Sequence, residues 1–228
     1  MAHFGLIGGL GVGAAVYYYQ RITAICAGRR IAPRLTMAHA DMPTVLAFVQ
    51  ADRIEDLAGY LAGLVAELAA SGATFFAIPA ITPHICLDAL NERVSLPIVS
   101  ILQTTAERLC ARGLSRVALF GTRFTIERDM FGALHGFGVV RPHADEIEAV
   151  HRIYLELATN GRITPADEAK LREIAGTLCR RDGVEAIVLA GTDLNLVFSE
   201  ANSGFPAVDC AAAHIDAIIG RMAEQARP

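Results

Sequence analysis

Three short turns hold residues whose types and spacing could do chemistry. The first closes the stretch FAIPAITPH as Ala80-Ile81-Thr82-Pro83-His84. The second is Gly121-Thr122-Arg123-Phe124-Thr125, and the third is Ala190-Gly191-Thr192-Asp193. In each, an apolar run is followed by threonine where a helix should start. A threonine hydroxyl and the unpaired N–H groups of a helix start suit an anion. Three such turns predict a pocket for a small carboxylate, with Thr82, Thr122, Thr125 and Thr192 as its ligands. Taken singly, each threonine could equally do no more than cap its own helix. His84 and Asp193 are the acid/base candidates. At a helix start the dipole disfavours imidazolium, so His84 is either a neutral acid/base or a hydrogen-bonding partner of a nearby loop. The same end effect holds Asp193 anionic, which suits a cap better than a base.

A fourth turn is glycine-rich, Gly8-Gly9-Leu10-Gly11-Val12-Gly13. Gly8 and Gly9 would let backbone approach a ligand closely. The run also fits a dinucleotide fingerprint, which further requires an acidic residue closing the second strand. The nearest one, Asp41, comes late for that.

The elements that must position these turns follow from the apolar pattern. Continuous apolar runs fall at 3–8, 34–40, 74–79, 96–101, 116–121, 184–191 and 205–210. Runs without alternation predict strands of a parallel sheet buried on both faces. Longer stretches with apolar residues every three to four positions separate them, as over 53–72, where Gly72 fits a C-terminal cap. The βα alternation predicts an α/β, doubly wound arrangement with right-handed crossovers. Residues 143–182 lack a strand and read as two helices, the second with Thr164 as N-cap, Pro165 in its first turn and Glu168 near the capping-box position. In such sheets ligands bind beyond the carboxyl ends of the strands, which is where all four turns fall.

The totals narrow the class. With 53% hydrophobic and 19% charged residues the 228-residue chain can bury a large core and is expected to be ordered. A net charge of −4 and scattered basic residues give no footprint for nucleic acid. The apolar start lacks a basic leader, and no window is long and apolar enough to predict a membrane span. Cys26, Cys86, Cys110, Cys179 and Cys210 have no metal-site spacing, so no metal site is expected; they suit a reducing cytoplasm.

Several segments together resemble the aspartate/glutamate racemase superfamily, whose enzymes work without pyridoxal phosphate. GLIGGLG followed by Tyr17-Tyr18-Tyr19 is similar to its opening strand and tyrosines. VALFGTRFTIERDMF (117–131) is similar to its carboxylate-binding segment, VHRIYLEL (150–157) to a helix of its last third, and VDCAAAHIDAI (208–218) to its closing helix. The resemblance implies two similar α/β lobes, residues 1–102 with 209–228 and residues 103–208, with the active site in the cleft between them. It also implies a homodimer, a small carboxylate or amino-acid substrate, and no cofactor.

Racemases of this kind use one cysteine from each lobe, a thiolate to remove the α-proton and a thiol to return one from the opposite face. The turns that carry them read Cys-Asn-Thr-x-His and Gly-Cys-Thr-Glu. In this chain Ala80 and Gly191 stand at the two cysteine positions. Of the other cysteines, Cys86 should be carried into the core, and Cys210, at the end of the last strand, is the candidate for a cleft edge. His151 and His214 read as packing or supporting histidines. Three functions stay open: an isomerase of the racemase or epimerase type, a lyase that decarboxylates a malonate-like acid with one proton donor, and a carboxylate-binding protein without catalysis.

Overall fold

The structure, a computed structural model, describes residues 2–224. The chain divides into two compact units. One takes the chain up to Ile101 and resumes at His214; the other is Leu102–Ala213.

The first unit holds a four-stranded sheet of β1 (His3–Gly8), β2 (Arg34–His39), β3 (Phe75–Ala77) and β4 (Ile98–Val99). All pairings are parallel and the order is β2-β1-β3-β4. Every residue of β1 and β3 is buried, as continuous apolar runs require. Helices α1 (Val12–Gly28), α2 (Met42–Gln50), α3 (Ile54–Ala70) and α4 (Leu87–Asn91) make the crossovers. In α3 the buried residues Leu57, Leu61, Leu64 and Leu68 recur at helical spacing and pack with Ile7 and Phe76. Each such leucine contributes about 1.5–3 kcal/mol by leaving water.

The chain passes into the second unit near the start of α5 (Ile101–Ala111). There β5 (Arg116–Gly121), β6 (Gly138–Val140), β7 (Ala186–Ala190) and β8 (Ala207–Asp209) form a second parallel sheet, in the order β6-β5-β7-β8. This repeats the order of the first sheet. The expectation of two similar α/β lobes, each with its own mainly parallel sheet, holds, because each βα series fills its own core.

Helices α6 (Arg123–Glu127), α7 (Ala144–Asn160), α8 (Pro165–Asp182) and α9 (Cys210–Glu224) complete the chain. Thr164 caps α8 as expected, accepting from the Asp167 N–H. Glu168, placed by sequence near the capping-box position, instead pairs with Arg172 one turn on. Among the described residues no helix is long and apolar enough to cross a membrane.

Candidate active site

In the first unit β1 and β3 are neighbours, so the Gly8-Gly9 turn and the Ala80–His84 turn leave adjacent parallel strands at their carboxyl ends. Gly9 has φ +90, and a Cβ there would run into the Ala40 carbonyl. Glycine is therefore required by close backbone approach to the end of β2, whatever binds nearby. Gly9 also edges a groove lined by Val12, Val16, Tyr19 and Met37 together with Gln20 and His39. Asp41, weighed as a nucleotide-binding acid, is the N-cap of α2 and accepts from the N–H and hydroxyl of Thr44.

Thr82 opens a 3₁₀ turn, Thr82–Cys86, whose N-cap is Ile81 with no side-chain cap. Its hydroxyl therefore does not cap its own helix and is half-buried. His84 is the third residue of that turn and only 3% exposed. Its Nδ1 lies 2.9 Å from the Ala80 carbonyl oxygen. A carbonyl can only accept, so Nδ1 carries the proton and Nε2 carries the lone pair. That Nε2 is buried without a hydrogen-bond partner among the described residues. Burial lowers the His84 pKa to about 4, against smaller raising effects from the Ala80 and Ile81 carbonyls. The ring is neutral, as expected from sequence, but desolvation rather than a helix dipole is the main cause.

His214 supports this region. Its Nε2 donates to the Val99 carbonyl at 2.8 Å, and its Nδ1 accepts from the Tyr18 hydroxyl at 2.9 Å. Burial lowers its pKa to about 3, and the neighbouring His84 opposes a charge on it further. Of the three consecutive tyrosines, Tyr18 is the buried one and Tyr19 the exposed one.

In the second unit β5 and β7 are paired, with Gly121 opposite Ala190, so the Thr122 and Thr192 turns emerge side by side. Thr122 caps α6, accepting from the Thr125 N–H, and its hydroxyl lies 2.9 Å from that of buried Thr125. The capping role foreseen as the plainer reading holds for this threonine. It fails for Thr192, which opens the 3₁₀ turn Thr192–Leu196 behind an N-cap, Gly191, that has no side-chain cap. Asp193 is the second residue of that turn and not its cap, contrary to the sequence reading. Its carboxylate accepts from the Tyr154 hydroxyl at 3.3 Å.

Tyr154 was missed in the sequence. A Cβ added at Gly191 would come within 2.8 Å of its ring atoms Cδ2 and Cζ, and closer still to Cε2. Burial, then the Asp193 charge, raise its pKa well above the usual phenol range, so the hydroxyl stays protonated. His151 accepts from the Arg123 N–H at 3.2 Å, a supporting role as expected.

Cys86 and Cys210 are poor catalysts. Cys86 is in the core and donates to the Pro83 carbonyl, and burial pushes its pKa up to about 12. Cys210, considered as a thiol at a cleft edge, is instead fully buried at the start of α9. Burial pushes its pKa up to about 12, with a hydrogen bond to Thr105 pulling the other way. Neither is a thiolate near neutral pH. Among the described residues no group of three or more His, Cys, Asp or Glu could hold a metal ion.

Two parallel four-stranded sheets of matching order, each with a threonine opening a 3₁₀ turn beyond its third strand, define an α/β protein of duplicated design. Residues 7–218 match the Asp/Glu/hydantoin racemase family, and the chain belongs to it. A solved structure of a Yersinia pestis protein assigned to the Asp/Glu racemases is similar at 23% identity and TM-score 0.85, covering 98% of this chain and 100% of that one. An aspartate racemase homologue of Pyrococcus horikoshii OT3 is similar at 26% identity and TM-score 0.82, with 98% and 100% covered. The Picrophilus torridus aspartate racemase is similar at 20% identity and TM-score 0.75, with 98% and 95% covered.

Proposed function

We propose that this chain is a racemase-family isomerase that acts at the α-carbon of a small carboxylate or amino acid without a catalytic thiol. In this reading neutral His84 takes the α-proton on Nε2, and Asp193, entering the cycle as the carboxylic acid, gives one back to the α-carbon; exchange with solvent then resets both groups. Thr82, Thr122, Thr125, Thr192 and the Gly8-Gly9 backbone bind the substrate. Ala80 and Gly191 occupy the positions that carry cysteine in two-thiol relatives.

The observation that carries the reading is the His84 Nε2 lone pair, buried and without a hydrogen-bond partner among the described residues. A buried polar atom left without a partner costs free energy, so the position needs a reason. A lone pair presented by a locked tautomer supplies a proton acceptor. The pKa of about 4 makes His84 a weak base in the empty protein. A bound carboxylate brings negative charge, which favours imidazolium and strengthens the base as substrate arrives.

The lyase alternative needs a proton donor. His84 serves it poorly, since its only ring proton is held by the Ala80 carbonyl. A binding protein would use Nε2 to accept from a ligand amino or hydroxyl group, so turnover must separate that reading from ours. We expect the reaction to run in a reducing cytoplasm, which free cysteines suit, and by a homodimer, as the family resemblance implies.

Proton NMR in D₂O with a panel of amino, hydroxy and malonic acids tests the proposal. Exchange of an α-proton for deuterium is the expected result. Decarboxylation without exchange would favour the lyase, and ligand line broadening without either would favour a binding protein.

A further inference from the structure

We propose that Tyr154 is a positioning residue that has taken over the space of a side chain at 191 and holds Thr192 and Asp193 in their working geometry. The proposal rests on the reading of those two residues as part of the site.

Three observations converge on it. Tyr154 comes from α7, 37 positions before Gly191, yet its ring fills the volume directly off the Gly191 α-carbon. Any Cβ at 191 meets three ring atoms, and a ring anchored at its hydroxyl cannot swing aside freely. The hydroxyl donates to Asp193 Oδ2 at 3.3 Å and is also hydrogen-bonded to Thr192. One side chain therefore meets Gly191, Thr192 and Asp193. Its burial keeps the phenol protonated, so the hydroxyl remains a donor across the working pH range.

A bare glycine at 191 would leave this turn underdetermined, because glycine has the widest backbone freedom. The aromatic ring restores a wall against the α-carbon, and the O–H fixes the direction of the carboxylate. Tyr154 thus explains why a turn without a side chain at 191 can still present Thr192 and Asp193 in one arrangement. It acts through them and needs no contact with substrate.

Tyr154→Phe, and a cycle of Gly191→Cys, Tyr154→Ala and the two together, test this. Tyr154→Phe keeps the ring and removes the donor. It should lower kcat for α-proton exchange by about tenfold while KM changes little, the pattern of an interaction used in the transition state, and the donor lost from buried Asp193 should lower Tm modestly. Gly191→Cys should melt far below wild type with Tyr154 present, and Tyr154→Ala in the same chain should restore much of the loss, giving a large coupling between the two sites. Wild-type kcat in Tyr154→Phe would overturn the proposal, as would a Gly191→Cys chain that melts like wild type. If the wild-type protein exchanges no α-proton, the functional reading fails on its own. The melting cycle then decides this inference: coupling keeps Tyr154 as the residue that shapes the turn, and additive effects remove it.

Discussion

The His84 ring folds back on its own turn, with Nδ1 donating to the Ala80 carbonyl 2.9 Å away and Nε2 left buried. This relationship fixes the tautomer. It also means that a charged His84 would carry a second proton on Nε2, which has no hydrogen-bond partner among the described residues. The consequence for stability follows directly. His84 in the folded chain titrates at about 4 and His214 at about 3, against 6.5 for an ordinary histidine. Between those values the unfolded chain binds more protons than the folded one. The stabilisation is therefore fully present above pH 6.5 and is lost as pH falls toward 4 and below. His84 alone accounts for roughly 3 kcal/mol of that loss. Urea unfolding across pH 4–7 should show a falling midpoint on the acid side, and His84→Gln should make that fall shallower while His214 keeps the remainder.

Thiol chemistry should be dispensable. Cys110 is exposed and Cys179 partly so, whereas Cys26, Cys86 and Cys210 are buried. A thiol reagent added to native protein should modify Cys110 first and Cys179 more slowly, with the other three reacting only on unfolding. The modified protein should retain its α-proton exchange.

Gly9→Ala should destabilise the first unit. Its φ of +90 and the collision with the Ala40 carbonyl act together, at a cost of roughly 2 kcal/mol or more. A thermal melt of the variant checks this; an unchanged Tm would show that the β1 turn relaxes.

Tyr18→Phe removes the donor to His214 Nδ1 and strands a buried acceptor. The expected cost is about 1–3 kcal/mol. Because the Val99 contact at Nε2 remains, the His214 ring should stay in place, with its tautomer unchanged by ¹⁵N NMR.

Most of the strands could be read from the sequence because their apolar runs are continuous. HFGLIG and RVALFG coincide with β1 and β5. Strand β6, Gly138–Val140, escaped notice: three residues at a sheet edge, none fully buried, carry no periodic signal. The site was legible as far as local chemistry reaches. Thr122 could be recognised as a cap, since its partner Thr125 lies three residues on. The non-capping hydroxyls of Thr82 and Thr192 could not, because the sequence does not distinguish a 3₁₀ turn from a helix start. Tyr154 was illegible for a different reason. Its contact with Gly191 exists only once α7 packs against the β7 turn, and no local pattern encodes that meeting.

The most direct test of the account compares wild type with His84→Gln in D₂O, using whichever acid of the panel the wild type exchanges. The account predicts that exchange falls by about 100-fold or more in the variant while its circular dichroism spectrum is unchanged. Exchange at the wild-type rate in His84→Gln would contradict it and would assign the proton transfer to another residue.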